Sequence, residues 1–170
     1  MLKLAGLVDD SIVDGPGFRL TIFSQGCHHH CEGCHNPDTW DFDGGTVMEE
    51  EQIVQMARAN PLVKGVTFSG GEPFDQASGF TKLARLLKKE GYEVASYSGY
   101  TFEQLMSGTD EQRELMMSID VLIDGPFILS LRNLSLVYRG SSNQRILDAR
   151  ESVLQGKAIE VKSLRWRGEY

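Results

Sequence analysis

Cysteine is scarce in this 170-residue chain, and all three copies, Cys27, Cys31 and Cys34, fall within one run of eight residues. An odd, clustered set does not form the paired disulfide framework of a small secreted domain; it reads as thiolates kept reduced for a metal. Basic residues are also short, with 17 Lys and Arg against 24 Asp and Glu for a formal net charge of -7 and an isoelectric point near 5.1. That balance argues against direct nucleic-acid binding, which needs a concentrated basic surface. No stretch approaches ~18 consecutive apolar residues, so no membrane span is predicted. Met1-Leu2-Lys3-Leu4-Ala5-Gly6 lacks the long apolar core and cleavage pattern of a secretory signal, which predicts a cytoplasmic protein. The sequence contains neither an internal repeat nor a low-complexity run.

What is present fits one globular domain over residues 1–170, with 41% hydrophobic and 24% charged residues. Phe18-Arg19-Leu20-Thr21-Ile22-Phe23-Ser24 alternates bulky and polar residues and predicts a strand feeding the cysteine run. Thr46-Val47-Met48-Glu49 reads as a capping box opening a helix that buries Ile53, Met56 and Ala57. Further strands are predicted over 63–69, 92–97 and 120–123. A helix over 76–90 carries Phe80, Leu83, Ala84 and Leu87 and stops at Gly91, and a helical stretch over 102–117 breaks at Ser107-Gly108-Thr109. Met116 and Met117 are expected in the core with Met56. Strands and helices in alternation predict an α/β fold, its parallel strands joined by right-handed crossovers. A closed eightfold barrel takes ~250 residues, so the expectation is a partial, open βα barrel with a mostly parallel sheet.

Three thiolates can hold three corners of a four-iron cube, leaving one iron without a protein thiolate and free to bind a small molecule. Thiolates suit zinc equally well. A closed zinc site would use the three cysteines and one histidine, and His28, His29, His30 and His35 are all at hand. A second motif, Thr67-Phe68-Ser69-Gly70-Gly71-Glu72-Pro73, ends a predicted strand. Its glycines permit close backbone approach, and Glu72 offers a carboxylate to an ammonium group. Taken alone the run is also an ordinary strand-to-helix turn. Both motifs follow strands of one α/β pattern, where ligands gather at the carboxyl ends.

Together these residues resemble the radical S-adenosylmethionine superfamily, with its Cys-x3-Cys-x2-Cys loop and Gly-Gly-Glu-Pro turn. Asp14-Gly15-Pro16-Gly17-Phe18-Arg19, with Phe23 and Gly26-Cys27, is similar to the glycyl-radical-enzyme activases. Thr39-Trp40, Tyr97-Ser98-Gly99-Tyr100-Thr101, Asp120-Val121-Leu122-Ile123-Asp124-Gly125-Pro126-Phe127 and Arg139-Gly140-Ser141-Ser142-Asn143-Gln144-Arg145 resemble the activases of anaerobic (class III) ribonucleotide reductases. His28, His30 and His35 fall where the family pattern varies, and the histidine run reads most simply as a polar exposed loop.

The resemblance implies a [4Fe-4S] cluster on Cys27, Cys31 and Cys34, with S-adenosyl-L-methionine chelating the fourth iron. It implies that Ser69, Gly70, Gly71 and Glu72 hold the methionine end, that Gly33 and His35 meet the adenine through their backbones, and that Ser98 and Asp124 bind ribose or carboxylate. For the last two a plain turn is the alternative. The implied reaction is reductive cleavage to a 5'-deoxyadenosyl radical that makes a glycyl radical on the reductase catalytic subunit, with a flavodoxin-type electron donor. Two other readings remain at this point, an activase of another glycyl radical enzyme and a non-catalytic zinc or electron-transfer module. The C-terminal run from Lys162 to Tyr170 is expected to fray.

Overall fold

The computed structural model describes residues 1–168, so Glu169 and Tyr170 of the predicted fraying tail lie outside the described residues. In chain order the elements are β1 (Leu2–Ser11), β2 (Arg19–Ser24), β3 (Thr46–Met48), α1 (Glu50–Ala59), β4 (Gly65–Gly70), α2 (Ala77–Lys89), β5 (Glu93–Tyr97), α3 (Phe102–Met106), α4 (Asp110–Ser118), β6 (Val121–Asp124), β7 (Arg145–Asp148) and α5 (Ala149–Gln155). The described strands form one seven-stranded sheet in the order β3-β1-β2-β4-β5-β6-β7. Its centre, β2, β4, β5 and β6, is parallel. Its edges are antiparallel, with β1 and β3 on one side and β7 on the other. The fold is therefore α/β with a mixed sheet. Among the described residues no helix is long and apolar enough to cross a membrane.

Strand periodicity of two sends alternate side chains to opposite faces. Leu20 and Ile22 of β2, Val66 and Phe68 of β4, Val94 and Leu122 meet Ile53, Ala57, Phe80, Leu83, Leu87, Leu115 and Met116 from the helices in the main core. Each fully buried Val, Leu, Ile, Phe or Met side chain there contributes roughly 1.5–3 kcal/mol of transfer free energy. The other face is more polar. Thr21, Thr67, Ala95 and Val121 stand in register across β2, β4, β5 and β6. That face is closed by a second cluster of Ala95, Val121, Ile123 and Trp166, flanked by Tyr97, Tyr138 and Ile146.

The structure corrects three expectations. Thr46–Met48 is extended because it pairs with β1, and the capping box lies instead at Glu49 and Gln52. Met56 and Met117 are 39% and 57% exposed, because the buried stripes of their helices run through Ile53, Val54 and Ala57 and through Leu115 and Met116. The tail does not fray as far as Gly168. Leu164–Arg167 forms a turn of helix whose Trp166 is 1% exposed, its indole 5.2 Å from the Arg19 guanidinium carbon and edge-on to Tyr138 at 5.4 Å.

Arg19 explains the segment before β2. It is buried on the polar face, donating from Nε to Thr67 Oγ1 (2.8 Å) and from Nη1 to Glu93 Oε1 (2.9 Å) and the Pro16 carbonyl (3.2 Å). Gly15, at φ +143, is pressed against this pair, since a Cβ there would stand 2.7 Å from Arg19 Cδ and 2.9 Å from the Trp166 ring. The Asp14–Arg19 motif thus forms the floor of the polar face, with Arg19 at the amino ends of β2, β4 and β5.

Candidate functional site

The cysteine loop leaves the end of β2 and returns on itself. Gly26 N–H donates to the Thr39 carbonyl (2.7 Å) and Cys27 N–H to the Trp40 carbonyl (3.2 Å), which ties the base of the loop to the backbone at Thr39-Trp40. Cys34 N–H donates to the Cys31 carbonyl (3.1 Å), and Asn36 N–H points at Cys34 Sγ (3.4 Å). All three thiols are free. Burial pushes the Cys27 thiol up to about 11, while the N–H groups of His29 and His30 act in the opposite sense by favouring its thiolate.

The Gly-Gly-Glu-Pro turn ends β4 beside this loop. Gly71 N–H donates to the Ser24 carbonyl (2.7 Å) and Glu72 N–H to the Gly26 carbonyl (2.8 Å). Gly70 is left-handed at φ +87, and a Cβ there would lie 2.5 Å from Ser24 N. The glycines are required first by the neighbouring backbone, which the sequence alone did not show. Gln76 completes the junction, donating to the Lys3 carbonyl (2.8 Å) and to Ser24 Oγ (3.0 Å).

Glu72 is fully buried, and its carboxylate gathers donors from three segments. Oε1 accepts from His29 Nε2 (2.6 Å), Ser98 Oγ (3.1 Å) and Gly99 N–H (2.8 Å), and Oε2 accepts from Phe74 N–H (3.0 Å). Burial alone disfavours the His29 imidazolium, but the hydrogen bond and charge of Glu72 outweigh it and raise the His29 pKa. Outside this pair, His28 Nδ1 lies 2.9 Å from Asp75 Oδ2. The Tyr100 hydroxyl donates to Asp75 Oδ1 (2.9 Å) and sits 2.7 Å from His28 Nε2. Burial, then the charge of Glu72, raises the Asp75 pKa. None of these links was visible in the sequence. The one available signal was a histidine between two cysteines of one motif and a carboxylate in the other.

A cavity of about 380 Å³ opens at the carboxyl ends of the parallel strands, lined by Cys27, Cys31, Cys34, His35, Ser69, Gly70, Gly71 and Ser98 among others. That volume is in the range of cofactor pockets. Gly33 lies beside it at φ +74, where a Cβ would meet Leu129 at 2.8 Å. Glu72 and Asp124 stand behind the lining. Asp124 is 1% exposed; it accepts from Phe102 N–H (2.7 Å) and from Arg145 Nε (3.0 Å) and Nη2 (2.5 Å).

The thiols suit a cluster better than a single zinc ion. Tetrahedral zinc with Zn–S near 2.3 Å would hold its sulfurs roughly 3.8 Å apart. Among the described residues, no three Cys and His ligand atoms come within 4.8 Å of one another, and the one set that does is the acidic run Glu49, Glu50 and Glu51. A four-iron cube takes its thiolates on separate corners and so tolerates a wider spacing. Each of the four histidine rings is turned to another partner. His28 and His29 face acids, His30 stacks on Trp40 at 4.4 Å, and His35 meets Phe127 edge-on at 5.0 Å.

Comparison with known proteins agrees with this arrangement. A family model described as a 4Fe-4S single cluster domain matches residues 13–147. The anaerobic ribonucleoside-triphosphate reductase-activating protein of Escherichia coli K12 is 36% identical over 141 residues, covering 78% of this chain and 90% of that protein. The Vibrio cholerae protein of the same name is 36% identical over 143 residues (79% and 90%). That of enterobacteria phage T4 is 32% identical over 140 residues (79% and 86%). Among solved structures, QueE from Escherichia coli aligns with a TM-score of 0.41 at 20% identity over 59% of this chain and 51% of its own, a likeness too distant to inform the site. The matched span runs from the Asp14–Arg19 floor through both cavity motifs to β7, and over that span the chain belongs to the family of anaerobic ribonucleoside-triphosphate reductase-activating proteins.

Proposed function

We propose that the protein activates an anaerobic ribonucleotide reductase by generating a glycyl radical on its catalytic subunit. The observation that carries this reading is the convergence of three free thiols with Ser69, Gly70, Gly71 and Ser98 on one cavity. When bound there, a [4Fe-4S] cluster and S-adenosyl-L-methionine supply reductive carbon–sulfur cleavage to a 5'-deoxyadenosyl radical able to take a hydrogen atom from a glycine Cα. Cys27, Cys31 and Cys34 hold the cluster. Ser69, Gly70, Gly71 and Ser98 line the methionine and ribose side, and His35 with Gly33 borders the adenine side. Glu72 and Asp124 act from one step behind, Glu72 by holding Ser98 and Gly99 in place and Asp124 by fixing Arg145 and the start of α3.

The sheet order places β3 and β7 at opposite edges. We read the open seven-stranded sheet as a partial βα barrel whose gap admits a polypeptide loop. A glycine-bearing segment must leave its own fold to reach the cavity, so the reductase rearranges on docking. The family resemblance supplies the electron source, a flavodoxin-type donor. The test is anaerobic reconstitution with iron and sulfide, followed by dithionite and S-adenosyl-L-methionine. The expected products are equimolar methionine and 5'-deoxyadenosine, absent from Cys34→Ala. Colourless protein that holds stoichiometric zinc and forms neither product contradicts the reading.

A further inference from the structure

We propose that His29 is a positioning residue for S-adenosyl-L-methionine, acting through Glu72 to set the turns after β4 and β5 against the cysteine loop. The inference rests on the function proposed above and goes beyond it, because it assigns a task to a side chain between two cluster cysteines that is not itself a ligand.

The cysteine loop has no strand or helix of its own between Cys27 and Cys34. Its base is fixed by backbone hydrogen bonds at Gly26 and Cys27, but the position of its middle depends on side chains. His29 supplies one such tie, 15% exposed and 2.6 Å from Glu72 Oε1. The same oxygen holds Gly99 N–H, and the same carboxylate holds Ser98 Oγ. One buried carboxylate therefore sets the mutual placement of three cavity walls: the cysteine loop, the Gly70-Gly71 turn and Ser98. The imidazole also presses on Gly99, where a Cβ would lie 2.6 Å from the ring. Tyr100 packs edge-on against it at 4.6 Å. The orientation of His29 is thus fixed from three directions, with Nε2 committed to Glu72. Losing this donor leaves a buried carboxylate short of one partner, an expensive state that the walls relieve by shifting.

The experiment compares anaerobically reconstituted wild type, His29→Ala and His29→Gln, the last retaining an N–H donor at similar reach. Readouts are iron per chain, the electron paramagnetic resonance spectrum of the reduced cluster with and without S-adenosyl-L-methionine, and KM and kcat for 5'-deoxyadenosine formation. The expectation for His29→Ala is iron content and a cofactor-free spectrum like wild type, a weakened spectral response to the cofactor, and a KM about tenfold higher. His29→Gln recovers most of the response and the KM. A wild-type KM and response in His29→Ala overturns the proposal, as does iron loss in both variants, which makes His29 a support of the cluster itself. If wild type shows no response to S-adenosyl-L-methionine, the function proposed above fails instead.

Discussion

Gly71 lies so close to Gly26 that a Cβ on Gly71 would stand 2.3 Å from the Gly26 carbonyl oxygen. The cysteine loop and the Gly-Gly-Glu-Pro turn are thus in backbone contact, Gly26 preceding the first cysteine and Gly71 lying within the turn. Gly71→Ala must push the turn away from the loop, because the obstructing atom is backbone and cannot rotate aside. The variant is expected to lose about 1–3 kcal/mol of stability and to bind less iron on reconstitution. Thermal unfolding and iron analysis check both. Wild-type values for each would show that the contact is not required.

Trp166 anchors the C-terminal segment under Arg19. Trp166→Ala is expected to cost about 3–5 kcal/mol, as for other large buried side chains, and to lower the urea midpoint with little change in slope. Truncation after Val161 should destabilise at least as much. Unchanged midpoints would mean that the second, smaller core contributes nothing to folding.

Arg145 links buried Asp124 to exposed Glu103, with Nη2 2.5 Å from Asp124 Oδ2 and 2.7 Å from Glu103 Oε2. Asp124→Ala leaves Phe102 N–H without its acceptor and the guanidinium with Glu103 alone, for an expected loss of about 2–4 kcal/mol, at the lower end because Arg145 is partly exposed. The Arg145 hydrogen bond holds the Glu103 carboxyl below its ordinary value. A depressed folded-state pKa contributes stability that is fully present above the unfolded value, near 4.3, and is lost as pH falls through the folded one. Glu103 is 60% exposed, so solvent screening limits the pair to about 0.5 kcal/mol. Wild type should therefore exceed Glu103→Gln by that margin at pH 7 and lose the margin progressively as pH falls below the unfolded carboxyl value, as read from denaturant unfolding. A margin that grows on acidification contradicts the assigned ion pair.

The parallel centre of the sheet was readable because β2, β4, β5 and β6 carry dense apolar or alternating runs, and α2 repeats its buried residues at helical spacing. The edges were not. β1 buries Leu2 and Leu4 but then runs into Asp9 and Asp10, and β7 is a short Arg-Ile-Leu-Asp run with only two apolar residues between charged ends, too few for periodicity to register. The cysteines and the Gly70-Gly71 turn were legible from chemistry, whereas their partners were not. His28 and His30 are exposed, as a polar loop suggests, but His29 is turned inward to a carboxylate 43 positions away. Trp166 likewise found its place through tertiary contacts with Arg19 and Tyr138, which no local pattern encodes.

The central claim is that this chain makes a glycyl radical on the reductase. The reconstituted protein, dithionite, S-adenosyl-L-methionine and the anaerobic reductase catalytic subunit are mixed without oxygen, and the electron paramagnetic resonance spectrum of the reductase is recorded. The expected result is a glycyl doublet that grows with 5'-deoxyadenosine and is absent when Cys27, Cys31 or Cys34 is replaced by alanine. Cleavage of S-adenosyl-L-methionine with no doublet on the reductase would contradict it.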